Sequence, residues 1–368
     1  MPYPKFDRSQ LRIKSLDERK NKVDIVRDHV STDQKPLNLS YEAGQIIEKT
    51  AEKIAAAKRA QKPVIMAFGA HTIKNGLAPV LNALMEEGWI NHLATNGAGI
   101  IHDWEFAFQG QSSEDVKENV EKGQFGIWEE TGFYINLALI VGAYEGLGYG
   151  ESIGKMIEME GIRIPEAQEL YAIAEIKAAM EPELAASAID LAGTINKFDL
   201  KQGFMKIPHP FKKYSAQAAA YRLRIPFTGH PMFGHDIIYT HPMNNGAALG
   251  RTALNDFLTF ANNVRNIDHG VYISLGSAVM SPMIFEKSLA MAQNISISEN
   301  KHIGHHYMLI VDLTKSDWDW KQGEPPPDNP AYYLRFCKTF SRMGGETDYL
   351  SANNRDFLLA LHSKLNEK

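Results

Sequence analysis

The sequence predicts an α/β protein: a parallel sheet flanked by helices, with a helical insertion in its middle. Three observations predict it. Short apolar runs alternate with amphipathic stretches between residues 40 and 100. The same alternation returns after residue 224. Between them the pattern is almost wholly helical, which puts the insertion at about 112–200. Strands alternating with helices describe a parallel sheet covered on both faces.

The elements follow in order. Residues 1–38 are charged and weakly periodic, and read as an N-terminal arm ahead of one domain over 39–368. YEAGQIIEKTAEKIAAAKRA is an amphipathic helix with Ser40 as its N-cap. KPVIMAFGA reads as a buried strand, TIKNGLAPVLNALMEEGW as a helix, and INHLATNG as a second strand ending in a turn. SSEDVKENVEKG, WEETGFYINLALIVGAYEGLG and the alanine-rich stretch from Pro165 to Asn196 make the helical middle. RIPFTG, GVYISLGSA and HYMLIVDLT restore the strands, with LNDFLTFANNVRN and PMIFEKSLAMAQN as helices between them. AYYLRFCKTF and NRDFLLALHSKL are helical again.

Composition excludes several classes. The net charge of −5 supplies no positive field for nucleic acid or an anionic membrane. The longest apolar stretch, Phe133 to Tyr144, has 12 residues, whereas a membrane span needs about 20. One cysteine, Cys337, permits no internal disulfide and fits a reducing, cytoplasmic setting. The first twenty residues hold no apolar segment of the secretory kind.

Chemistry is expected at the strand ends. In LATNGAGIIHD, small residues follow a strand where backbone amides can approach a phosphate; equally, the turn can simply need glycine. His102 stands where a third glycine of the dinucleotide pattern belongs. SLGSAVMSP offers a second such turn at Gly276 and Ser277, with a helix starting near Pro282. LIVDLT puts Asp312 where an acid can hold ribose hydroxyls or cap a turn. GHPMFGHDIIYTHP carries His230, His235 and His241 with Asp236, but at no recognised metal spacing, so no metal is expected. SDWDWKQGEPPPD sets Asp317, Asp319, Glu324 and Asp328 beside Trp318 and Trp320. Acids and aromatic faces suit an alkylammonium ligand, and equally describe an acidic loop whose tryptophans pack on the body. Lys338, between Phe336 and Phe340, is a candidate imine-forming nucleophile if apolar surroundings depress its charge.

As an ordered set these motifs resemble the deoxyhypusine synthase family. FGAHTIKNGLAPVLNALMEEGWINHLATNGAGIIHD lies without a gap on that family's NAD-binding opening. The later order also matches: IPFTGHPMFGHDIIYTHP, a long helix, ISLGSA, YMLIVDLT and an acidic loop. Lys338 follows Pro330 by eight residues, the offset of the family's nucleophilic lysine. The resemblance implies a Rossmann-like fold, NAD as cofactor, and a homotetramer with active sites at dimer interfaces. It implies oxidation of a polyamine such as spermidine to an imine. An aminobutyl group then passes through the enzyme lysine to an acceptor amine, a protein lysine in the family and a free diamine in relatives, and NADH reduces the product.

By position it puts Ala70, His71, Thr95, Asn96, Gly97, Ala98, Gly99, His102, Gly276, Ser277, Asp312 and Thr314 at the cofactor. It puts Asp236, Asp319 and Trp320 at the amine, and Lys338 at the transfer step. Pro282 and Met283 replace the family's catalytic histidine pair, and Phe336 its tryptophan before the lysine. These departures keep open a second reading, an inactive relative that binds NAD or another nucleotide without turnover.

Overall fold

A computed structural model describes residues 3–368, the side chains of Lys321 and Arg335 excepted. Six parallel strands form the main sheet: β1 (Val64–Phe68), β2 (His92–Thr95), β3 (Phe227–Gly229), β4 (Val271–Leu275), β5 (Tyr307–Asp312) and β6 (Glu346–Ser351). Their spatial order is β6-β5-β4-β1-β2-β3. The chain therefore builds outward from β1 to β3, returns to the far side of β1 and builds outward again. This is the Rossmann-like order, and it reverses between β1 and β4.

Alternation along each strand divides the core. Val64, Met66 and Phe68 of β1 join Val271, Ile273 and Leu275 of β4 in one apolar cluster, with the helices Tyr41–Arg59 and Asn354–Leu365. Ile65, Ala67, Tyr272, Met308 and Ile310 face the other way, against Phe260, Phe285 and Phe340. Those partners belong to the helices Gly246–Arg265, Met280–Ser298 and Arg335–Phe340. Near-continuous apolar strands are what a sheet covered on both faces requires. Among the described residues no helix is long and apolar enough to cross a membrane.

The insertion separates β2 from β3. Its helices include Glu129–Glu145, Tyr149–Met159, Ala167–Lys177 and Pro182–Lys197, and it also holds an antiparallel pair, Gly161–Ile164 with Gly203–Lys206. SSEDVKENVEKG is not one helix. Gln111–Glu114 is a strand, and Asp115 caps the helix Val116–Glu121 by accepting from the Glu118 amide at 2.9 Å.

Gln111–Glu114 pairs antiparallel with Asn21–Asp24, so the N-terminal segment runs along the body of its own chain. Leu16, Ile25 and Val30 are buried in the core. The Arg19 guanidinium donates to Glu105 Oε1 at 2.8 Å and Oε2 at 2.6 Å, with both side chains 2% exposed. Arg8 reaches the Tyr239 carbonyl at 2.8 Å.

Candidate functional site

Parallel register levels the strand ends. Phe68 is paired with Thr95 and with Leu275, Leu275 with Val311, and Thr95 with Gly229. The turns that follow β1, β2, β4 and β5 therefore emerge along one edge of the sheet, where ligands bind in open α/β folds.

At the reversal the walls are backbone. The Gly69 amide donates to the Leu275 carbonyl at 3.0 Å, and that of Gly276 to the Val311 carbonyl at 2.8 Å. A Cβ on Gly69 would lie 2.1 Å from the Gly276 carbonyl oxygen, so only glycine fits. Gly276 itself has φ +56°, a conformation in which glycine carries no steric cost. Helix starts leave amides over. Neither the helix His71–Lys74 nor the helix Met280–Ser298 has a side-chain cap, and among the described residues the amides of Ala70, His71, Ala278 and Val279 meet no acceptor. His71, Ala278 and Val279 are exposed. Ser277 accepts from the Ser281 amide at 3.2 Å, and Asn354 donates to Thr72 at 2.9 Å to close the floor. Unpaired amides on both sides of a glycine-walled crevice fit the anionic centre of a dinucleotide.

The turn after β2 is used differently. Asn96 caps the helix Gly97–Gln109 by accepting from the Gly99 amide at 3.0 Å. A Cβ on Gly97 would sit 2.0 Å from Asp236 Oδ2, and one on Gly99 would sit 2.3 Å from Thr95 Oγ1. The small residues thus admit the chain's own side chains. Asp236 brings a carboxylate to the start of that helix, the position an incoming phosphate would need. Burial raises the Asp236 carboxyl to about 6, against the Ile238 amide, which pulls it down.

Ala98, His102 and Asp236 line a cavity of about 190 Å³ with Arg19, Lys74 and Glu105 among its other walls. Behind His102 runs a hydrogen-bonded chain. Ser112 Oγ lies 2.5 Å from Glu105 Oε2 and 2.7 Å from His102 Nδ1. Thr131 donates to Glu105 Oε1 at 3.0 Å. Burial pushes the His102 imidazole down to about 4; Glu105 opposes this, and Lys74, Arg19 and His71 add to it.

The β5 side holds the remaining candidates. Asp312 is half-buried and accepts from the Thr314 amide at 2.9 Å, while Thr314 is exposed. Trp320 is 5% exposed, and its indole donates to Ser316 at 3.2 Å. Its faces are therefore packed on the body, not presented to a cation. Asp319 is exposed and accepts from Gln322 at 3.4 Å. Lys338 lies 2.6 Å from Glu324 and 3.3 Å from the centre of the Tyr332 ring. Burial alone would lower its pKa, but Glu324 and Tyr332 outweigh it and hold the ammonium above the ordinary lysine value. The expectation that apolar neighbours depress its charge is thus corrected: Phe340 is fully buried in the core, and the lysine end meets an acid.

Among the described residues Lys338 and Asp236 have different neighbours. Asp236 lines the His102 cavity beside the turn after β2, and Lys338 pairs with Glu324 in the segment after β5. The histidines of the 230–241 segment also separate. His230 bonds Thr228 at 2.9 Å and is pushed down to about 3 by burial. His241 accepts from the Met243 amide at 3.0 Å, and His235 is exposed.

Asp103 and Asp256 had no role in the sequence reading. Asp103 is buried and accepts from the Ala216 amide at 2.8 Å and from Ser215 at 2.5 Å, starting the helix Ala216–Leu223. Asp256 accepts from the amides of Gly150 at 2.9 Å and Gly229 at 2.6 Å, and burial raises it to about 8 against their pull. Both caps come from distant chain positions, which local sequence does not reveal.

Neither a protein-family profile nor a curated protein matches the chain. Solved structures with a related outline include AgrE in a ternary complex with ornithine and NAD+, at 14% identity and TM-score 0.44 over 90% of this chain and 34% of AgrE. A conserved putative LOR/SDH protein from Methanococcus maripaludis S2 has 13% identity and TM-score 0.44, over 93% of this chain and 73% of that one. A putative deoxyhypusine synthase from Entamoeba histolytica has 11% identity and TM-score 0.38, over 90% of this chain and 96% of that one. The chain spans about a third of the length of AgrE and of the arginine dihydrolase ArgZ. Likenesses of this degree describe an outline and assign no family.

Proposed function

We propose that the chain is an NAD-dependent enzyme of the deoxyhypusine synthase type, which oxidises an amine to an imine and transfers an aminobutyl group through Lys338 to an acceptor amine. The observation that carries the cofactor half is the crevice at the strand reversal, where Gly69 faces Gly276 and amides on both sides meet no acceptor among the described residues. Ala70, His71, Gly276 and Ser277 would hold the dinucleotide, with Asp312 and Thr314 beyond them. Thr95 and Asn96 would shape its other flank. Bound there, NAD supplies a hydride acceptor.

The chain's own residues would then act on the amine. Asp236 is the counter-charge for an ammonium group, and Lys338 the nucleophile. Its amine attacks the imine carbon, the original amine leaves, the acceptor amine later displaces Lys338, and the hydride taken up by the cofactor would return to the resulting imine to give the aminobutyl product. For this Lys338 must lose a proton, and Glu324 at 2.6 Å is the group beside it. A second copy of the chain would complete the site in the homotetramer expected from the resemblance.

The test has two readouts. NAD binding is measured by calorimetry on the wild type and on Gly276→Val, which should lose it. Protein incubated with NAD and spermidine is then reduced with borohydride and mapped by mass spectrometry. An aminobutyl adduct on Lys338 is the expected result. NAD binding without an adduct, across a panel of amines, would leave the second reading, a binding protein without transfer. The charged, ion-paired state of Lys338 is the observation that favours it.

A further inference from the structure

We infer that His102 is a proton acceptor for an amine held in the cavity it shares with Asp236, with its reactive nitrogen fixed by the chain Glu105–Ser112–His102. The assignment deepens the amine-oxidation reading and rests on it for the identity of the ligand. The tautomer follows from donor counting. Glu105 is bound through both oxygens by Arg19, at 2.8 and 2.6 Å, and so is ionised and only accepts. Ser112 must then give its hydroxyl hydrogen to Glu105, at 2.5 Å. That leaves the Ser112 oxygen to accept from His102 Nδ1–H, at 2.7 Å. His102 Nε2 therefore carries the lone pair, and no described residue donates to it.

The surroundings suit that task. His102 and Asp236 line the same cavity, with Glu105 and Glu114 as its other acids and Arg19 and Lys74 as its cations. Glu105, Lys74, Arg19 and His71 act on His102, and Glu114, His235 and Asp236 line the same cavity; burial is the main cause that holds the imidazole neutral at pH 7, with Lys74 and Arg19 adding to it and Glu105 opposing it. A neutral imidazole with a fixed Nε2 lone pair accepts from N–H and cannot donate at that atom. When the amine loses hydride its N–H becomes acidic. The N–H bond then breaks, a new N–H bond forms at Nε2, the ligand becomes a neutral imine and the charge passes to the imidazolium. Glu105, acting through Ser112, stabilises that charge, as a carboxylate behind a catalytic histidine does. Ser112 and Glu105 are positioning residues in this scheme.

The tautomer is read first, in the free protein, from long-range proton–nitrogen spectra of 15N-histidine-labelled wild type. An Nδ1–H tautomer for His102 is expected, shifting towards Nε2–H in Ser112→Ala; an Nε2–H tautomer in the wild type overturns the inference. Titration with 1,4-diaminobutane should move the His102 Nε2 resonance in the wild type and not in Asp236→Asn. Absence of any movement in the wild type also overturns it. In amine-dependent NAD reduction, His102→Gln should lower kcat by about 10²–10⁴-fold, the usual range for a general base. Added imidazole should restore rate to His102→Gly. A wild type that reduces no NAD while giving the expected tautomer and titration refutes the dehydrogenase reading and leaves His102 as the acceptor for a bound amine.

Discussion

Replacing Arg19 by alanine tests how the N-terminal segment supports the site. Arg19 meets Glu105 through two hydrogen bonds inside the protein, and its Nε donates to Asn21 at 2.8 Å. Burial would raise the Glu105 carboxyl, but the Arg19 charge and the bonds from Arg19 and Ser112 hold it below the ordinary glutamate value. A folded-state pKa below the unfolded one gives stability that is present above the unfolded pKa, and is lost as pH falls through the folded value. Arg19→Ala reverses the sign. The carboxylate stays buried with Ser112 and Thr131 as its donors, its pKa rises, and protonation then relieves it. Breaking a buried pair from one side costs about 3–5 kcal/mol. The two remaining donors put the expected loss near the lower figure, about 3 kcal/mol at pH 7.5. Urea denaturation followed by tryptophan fluorescence at pH 7.5 and pH 5 measures it, and the deficit should shrink at pH 5. Arg19→Ala with Glu105→Gln should recover part of the loss at pH 7.5. A deficit that is the same at both pH values, or below about 1 kcal/mol, would refute the buried-pair argument.

Three further outcomes are expected. Gly69→Ala places a methyl 2.1 Å from the Gly276 carbonyl oxygen in the turn after β4; it should destabilise by about 1–3 kcal/mol and weaken NAD binding, read by chemical denaturation and calorimetry. Gly44→Ala, in the helix Tyr41–Arg59 with nothing within 4 Å of the new methyl, should stabilise by about 0.5–1 kcal/mol in the same denaturation assay. Amine affinity should fall as pH drops below about 6, where Asp236 takes up a proton. The slope should approach tenfold per pH unit, and Asp236→Asn should bind weakly and without that slope in a calorimetric titration.

Much of the sheet was legible because both faces of it are buried. Runs such as KPVIMAF and YMLIVD have few other uses in a chain of this composition, and β1 and β5 stand where those runs predict. The Ser40 cap was legible for a local reason: its hydroxyl accepts from Ala43, three residues on, at 3.1 Å. SSED was misread because acids at a helix start resemble acids in an edge strand. Only the pairing of Gln111–Glu114 with Asn21–Asp24 decides between them. The surroundings of Lys338 were hidden for a similar reason. Phe336 and Phe340 are its neighbours in sequence, but Glu324, fourteen residues earlier, is its neighbour in space.

The same distinction applies to the glycines after the strands. A glycine can be small to admit a ligand or to admit the protein itself, and the sequence looks alike in both cases. Gly97 and Gly99 are filled from within, by Asp236 and by Thr95. Their turn therefore delivers a carboxylate and an imidazole to one cavity, and a phosphate brought to that helix start would meet the carboxylate first. Gly69 and Gly276 face each other, and among the described residues the amides beside them meet no acceptor. If a dinucleotide binds, its anionic centre belongs at the second pair, and the first pair belongs to the molecule that reacts with it. The two sites lie on neighbouring strand ends, β1 and β2, whose register pairs Phe68 with Thr95. That adjacency, one strand spacing of about 4.8 Å, is short enough for hydride transfer between ligands that reach across it.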